Sequence, residues 1–142
     1  MAETKVVAPT ARALADEAVR LLIERRGGDI RMYRVEGTSS VTDYYINVSG
    51  RSGTHVAALA DELTERLETV FGVRAARVEG RRGESWILVD YLDVVINIFD
   101  KPSREFYNFD RLLPAESEQD IAALVAEVDR KMGGTAQTPT AP

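Results

Sequence analysis

The 142-residue chain contains no cysteine. That absence removes a disulfide scaffold, thiolate zinc sites and a cysteine nucleophile together. It has a single histidine, His55, so an imidazole-rich metal site is excluded and any serine–histidine pair would have to use that one residue. No apolar run approaches the roughly 20 residues needed to cross a bilayer. Met1 to Pro9 carries one Lys and no apolar h-region, so it does not read as a signal peptide, and a cytoplasmic setting is expected. Positive charge is also short. Lys and Arg number 18 against 23 Asp and Glu, giving a net charge of −5 and a pI of about 5.0. Affinity drawn from phosphates needs Lys and Arg to release counterions. Direct nucleic-acid recognition is therefore disfavoured, and a basic protein is the kind of partner this charge suits.

What is present is ordinary for one globular domain: 44% hydrophobic and 29% charged residues. Both ends lack a pattern that could bury a face. Residues 1–9 read as a flexible N-terminus, and 133–142, rich in Gly, Thr, Ala and Pro, as a disordered tail. Between them, Leu14, Ala18, Leu21 and Leu22 predict a helix over 11–26, stopped by Gly27-Gly28. Strands are expected at 30–35 and 44–49. In the second of these, Tyr44, Ile46 and Val48 share one face and Tyr45, Asn47 and Ser49 the other. The clearest element is the next helix. Ser52 suits an N-cap, the stripe Val56, Leu59, Ala60, Leu63, Leu67, Val70 and Phe71 is continuous, and Gly72 suits a left-handed C-cap.

A short strand over 74–79 and a turn over 80–83 should follow. Then 86–90 and 94–99 form a hairpin whose second strand, Val-Val-Ile-Asn-Ile-Phe, is apolar enough to lie centrally with both faces covered. One or two helical turns are expected within 104–113, Pro114 interrupts, and 116–131 reads as an amphipathic helix with Ile121, Leu124, Val125 and Val128 on its apolar side. Helices mixed with hairpin strands make this an α+β domain, a small mixed sheet packed against helices.

The residues that could carry chemistry are few. His55, in the first turn of the long helix, reads as a capping-region residue. Asp90 and Asp93 sit three apart at the hairpin. Metal-holding carboxylates on a strand normally alternate so that both face one side, which this spacing does not allow, so turn capping or an acidic docking surface is the better reading. The Gly/Ser loops at 37–40 and 50–53 match neither a P-loop nor a dinucleotide fingerprint, and Ser39, Ser40 and Ser49 lack a base partner. No catalytic residue, metal site or cofactor is expected. Trp86, Tyr91, Phe106, Tyr107 and Phe109 give the second half a dense aromatic content. It serves core packing or, beside Arg104 and Arg111, a protein-binding patch, since aromatics and Arg dominate interface hot spots.

Three stretches together resemble one family. They are Ser39-Ser-Val-Thr-Asp43-Tyr-Tyr-Ile-Asn-Val-Ser-Gly50, then Trp86-Ile-Leu-Val-Asp90-Tyr-Leu-Asp93-Val-Val-Ile-Asn-Ile-Phe99, then Ser103-Arg104-Glu-Phe106-Tyr107-Asn-Phe-Asp-Arg-Leu112. Their order and spacing are similar to the ribosomal silencing factors, the Iojap-like family, over about seven-tenths of the chain. The resemblance implies a small α+β domain, nucleotidyltransferase-like in shape, that is not an enzyme. It implies docking on a basic large-subunit ribosomal protein at the subunit interface, a block on small-subunit joining, repression of translation, and a homodimer when free. The family domain is expected over 10–114, with a C-terminal helical extension over 115–132. The partner-binding residues expected from turn, aromatics and resemblance are Trp86, Asp90, Tyr91, Asp93, Arg104, Phe106 and Tyr107. The sequence departs from the family in having Asn97 where His is usual and Leu92 where Gly is common. The competing readings are a magnesium-dependent nucleotidyltransferase using Asp90 and Asp93, and a large-subunit assembly factor without silencing activity.

Overall fold

A computed structural model describes residues 8–39, 41–80 and 85–133. The expected N-terminal stretch up to residue 7, Ser40, most of the turn at 80–83 and the tail beyond 133 lie outside the described residues.

Thr10 starts α1 (Ala11–Glu24) by accepting from the Ala13 amide at 3.0 Å. The helix stops two residues short of the expected end because Arg26 adopts φ 65° and Gly27 N donates to the Leu22 carbonyl at 2.8 Å. β1 (Gly28–Arg34) and β2 (Tyr44–Gly50) pair antiparallel. α2 (Gly53–Phe71) follows between the expected caps. Ser52 accepts from the His55 amide at 3.1 Å, and Gly72 sits at φ 70°. The stripe is buried as expected except at its last turn, where Val70 is exposed.

β3 (Arg77–Glu79) is shorter than expected, since Val73 and Ala75 pack against the core instead of joining the sheet. β4 (Trp86–Asp90) and β5 (Val94–Asp100) form the hairpin. The strands lie in the order β3-β4-β5-β2-β1, and β2 with β5 is the parallel pair. β5 is central and buried from Val94 to Phe99, as its apolar run requires.

The helix expected over 116–131 is corrected. Ala115–Ser117 is a 3-10 turn, Glu118–Gln119 is the edge strand β6 on β1, and α4 spans only Ala122–Lys131. Asp120 accepts from the Ala122 amide at 2.9 Å and so sets the later start, after Glu118 and Gln119 have paired with Tyr33 and Met32. Leu124 and Val128 are buried, and Arg20 of α1 reaches Glu127 at 3.1 Å. The segment after Pro114 is thus built into the sheet and its helical layer.

Strand alternation divides the sheet into two faces. Ile46 and Val48 of β2, Ile96 and Ile98 of β5, and Ile87 and Val89 of β4 pack under α1 and α2. Tyr45, Asn47, Ser49, Trp86, Leu88, Asp90, Asn97, Phe99 and Tyr33 belong to the opposite register. That second face is where α3 (Lys101–Tyr107) and the 3-10 helix Phe109–Leu112 lie.

Candidate partner-docking face

A chain of hydrogen bonds crosses the middle of the second face from β4 through β5 to β2. The Trp86 indole Nε1 donates to Asn97 Oδ1 at 3.1 Å, Asn97 Nδ2 donates to Asn47 Oδ1 at 3.1 Å, and Asn47 Nδ2 donates to Asp110 Oδ1 at 2.8 Å. The register makes this unavoidable: Asn47 and Asn97 are direct partners in the parallel pair, and both side chains are buried. Each amide donates in the same direction toward a carboxylate, so the bonds polarise one another. Asp110 also accepts from the Tyr33 hydroxyl at 2.8 Å and from Arg104 Nε at 2.7 Å. Arg104, 7% exposed, spends its other nitrogens on Ser49 Oγ at 2.9 Å and Asp29 at 3.5 Å. Burial alone would raise the Asp110 carboxyl, but the bonds from Arg104, Asn47 and Tyr33 outweigh it and hold it below its ordinary value. Burial, with the bond to Asp110, pushes the Tyr33 hydroxyl up.

Asn97 is the position at which the resemblance to the silencing-factor family implies His. Here it accepts one bond and donates one, which a neutral imidazole can also do. The position is a relay in a structural network rather than a proton carrier.

Aromatic rings border this network. Trp86 lies 4.9 Å from Phe99 and 4.9 Å from Tyr107, and Phe106 meets Tyr107 edge-on at 5.1 Å. Asp100 caps α3 by accepting from the Ser103 amide, and Arg104 anchors it from beneath, so the helix presents Phe106 and Tyr107 outward. Phe106 is 80% exposed and Tyr107 48%.

The hairpin turn is a separate locus. Trp86 and Asp90 begin and end β4, about 13 Å apart at strand rise. Asp90 Oδ1 caps the Leu92 amide at 2.7 Å and Oδ2 pairs with Arg77 at 3.1 Å. Asp93 is exposed, its carboxylate free of partners among the described residues, while its backbone carbonyl accepts from the Asp43 and Tyr44 amides. The second and first family-like stretches therefore meet here. Tyr91 points the other way, into the core, 7% exposed, with its hydroxyl buried and unpartnered. Burial, reinforced by the charge of Glu68, pushes its pKa up to about 12.

The structure thus brings Trp86, Arg104, Phe106 and Tyr107 together at one end of the hairpin and Asp90, Tyr91 and Asp93 at the other. Two of the expected contact residues, Tyr91 and Arg104, are inside the chain: Tyr91 because odd parity turns it toward α2, Arg104 because Asp110 draws it under α3. Sequence reasoning missed Asp110, Asn47 and Tyr33, the hub of the network. Leu92, where the resemblance implies Gly, is 65% exposed at the turn with φ 76°, a left-handed backbone that Gly adopts more easily. Both His55 nitrogens are engaged by backbone, Nδ1 accepting from Arg51 N and Nε2 donating to the Arg25 carbonyl, each at 2.9 Å. Among the described residues, no group of three or more His, Asp or Glu is placed to hold a metal ion, and no helix is long and apolar enough to cross a membrane.

Known proteins similar to this chain point to one family. The chain is 34% identical over 99 residues to a ribosomal silencing factor of Zymomonas mobilis, covering 68% of this chain and 74% of that one. A mouse protein of mitochondrial large-ribosomal-subunit assembly is 28% identical over 114 residues, covering 78% of this chain and 50% of that one. A solved structure from Chromobacterium violaceum superposes with TM-score 0.70 at 27% identity, over 74% of this chain and 87% of that one. The sequence model described as "Ribosomal silencing factor during starvation" matches residues 8–141, taking in the segment after Pro114, and the chain belongs to that family.

Proposed function

We propose that this chain binds the large ribosomal subunit through a basic protein at the subunit interface, blocks joining of the small subunit, and so represses translation. The observation that carries this reading is the exposed Phe106–Tyr107 pair backed by Trp86, a rigid aromatic platform with carboxylates at the far end of the same hairpin. Rigid aromatics supply hot-spot energy, and peripheral carboxylates steer a basic partner and fix its register. Trp86, Phe106, Tyr107, Asp90 and Asp93 make the contact. Arg104 and Tyr91 hold α3 and the turn in place from inside. The free protein is a homodimer, and it acts by docking rather than by catalysis.

A second reading has one support. The mouse relative is named for assembly of the large subunit, which would use the same docking face without silencing.

Sucrose-gradient sedimentation of lysates tests the reading. The protein is expected with free large subunits and scarce on translating ribosomes. Recovery only at the top of the gradient, in growing and starved cells alike, would refute it.

A further inference from the structure

A cavity of about 370 Å³ opens beside the carboxyl ends of β2 and β5, the place where open sheets containing parallel strands receive ligands. Four cations line it from three parts of the fold: Arg26 just past α1, Arg51 in the loop from β2 to α2, and Lys101 and Arg104 of α3. Arg104 is neutralised by Asp110 and Asp29, and Asp29 is also held by Arg31 at 2.9 Å. Arg26, Arg51 and Lys101 form no side-chain ion pair among the described residues. Glu105 is the unpaired carboxylate on the same rim. Most of the other arginines among the described residues are paired, among them Arg12 with Asp16, Arg20 with Glu17, Arg34 with Glu36 and Arg66 with Glu24. Three cations without an ion pair converge on this one concavity.

The rims are fixed in place. His55, from the first turn of α2, accepts from the Arg51 amide and donates to the Arg25 carbonyl, tying the segment that bears Arg26 to the one that bears Arg51. Gly50 lets α2 start directly against the strand end, since a Cβ there would come within 2.8 Å of Val56 Cγ2. Arg26 occupies a left-handed helix-terminal position that Gly fills more easily, so a long cation stands there against backbone preference.

We propose that this cavity binds a small phosphorylated ligand through its phosphoryl group. Two guanidinium forks and an ammonium suit phosphate oxygens. No aromatic residue lines the cavity, so nothing there offers a stacking platform for a base, and the phosphoryl group is the recognised part. The volume is in the range of roughly 300–1,000 Å³ typical of small-ligand sites.

Calorimetric titration of the full chain with pyrophosphate tests the site, with a single-stranded RNA oligonucleotide as the second arm. Saturable binding that weakens with salt is expected. Arg51→Gln and Lys101→Gln each lower the affinity about tenfold, the loss of one charge-assisted contact. Glu105→Gln raises it, because it removes the opposing charge. These side chains are exposed, and matched melting curves confirm that the variants fold. No saturable binding, or equal affinity in all three variants, would overturn the proposal. So would RNA that binds more tightly than pyrophosphate with an affinity that grows with oligonucleotide length, which marks a nucleic-acid surface instead.

Discussion

Asp110→Ala probes the network that holds α3 against the sheet. The substitution removes the acceptor of Arg104, Asn47 and Tyr33 at once and leaves a guanidinium that is 7% exposed with Ser49 Oγ as a neutral acceptor at 2.9 Å and Asp29 as its remaining carboxylate at 3.5 Å. Removing one partner of a buried ion pair costs about 3–5 kcal/mol. Arg104 also lines the cavity, where water can reach it, and Asp29 supplies part of the lost charge, so the low end, about 3 kcal/mol, is expected. Against a total of about 5–15 kcal/mol that is a large share of the stability. For a domain of this size it amounts to a fall in Tm of about 10 °C. The double variant Arg104→Met/Asp110→Leu removes the charge together with its partner and should regain most of the loss. Far-UV circular dichroism melts of the wild type, both singles and the double measure the coupling directly. A Tm for Asp110→Ala within about 2 °C of wild type, or a double variant less stable than either single, would refute the view that this pair pins α3 to the sheet.

The remaining expectations concern pH, core and turn. The Asp110 carboxyl is held below its ordinary value. Its stabilisation is therefore complete above the unfolded value of about 3.9 and lost as pH falls through the lower folded value. Urea midpoints of wild type and Asp110→Asn should differ by a constant amount from about pH 5 to pH 8 and converge below about pH 4; convergence on raising the pH would contradict this. Leu63 is fully buried in α2, so Leu63→Ala should cost about 2–5 kcal/mol by chemical denaturation, and an unchanged midpoint would show the stripe is not core. Leu92→Gly removes an exposed side chain from a left-handed position, so stability should hold or rise by up to about 1 kcal/mol. A loss larger than about 1 kcal/mol would mean that the leucine packs against the turn.

Periodicity made the helical layer legible. Ser52 and Gly72 bound α2 because capping is written in adjacent residues, and the apolar run Val94–Phe99 marked the central strand because only a strand covered on both faces tolerates it. The end of the chain was less legible. Glu116–Lys131 has a helical pattern, yet Glu118 and Gln119 pair with a strand more than 80 residues earlier in sequence, a tertiary choice that no local pattern records. The same limit hid the polar network. Asn47, Asn97 and Asp110 are unremarkable singly and become a relay only through the β2–β5 register and the turn after α3. Trp86, Phe106 and Tyr107 were visible as aromatics, but their exposure depends on which side of α3 Arg104 takes. Tyr91, expected among the partner-binding residues, lies just beyond the end of β4, and the strand parity that buries it is not evident from the turn sequence.

Binding of purified protein to isolated large subunits, followed by light scattering as small subunits are added, tests the docking claim most directly. Wild type should bind and suppress subunit joining. Phe106→Ala and Tyr107→Ala, which remove exposed rings and leave the fold intact, should each weaken binding by about 30-fold, the equivalent of about 2 kcal/mol at a hot spot, and restore joining. Folded variants that bind and block joining as wild type does would contradict the assignment of this aromatic face as the docking surface.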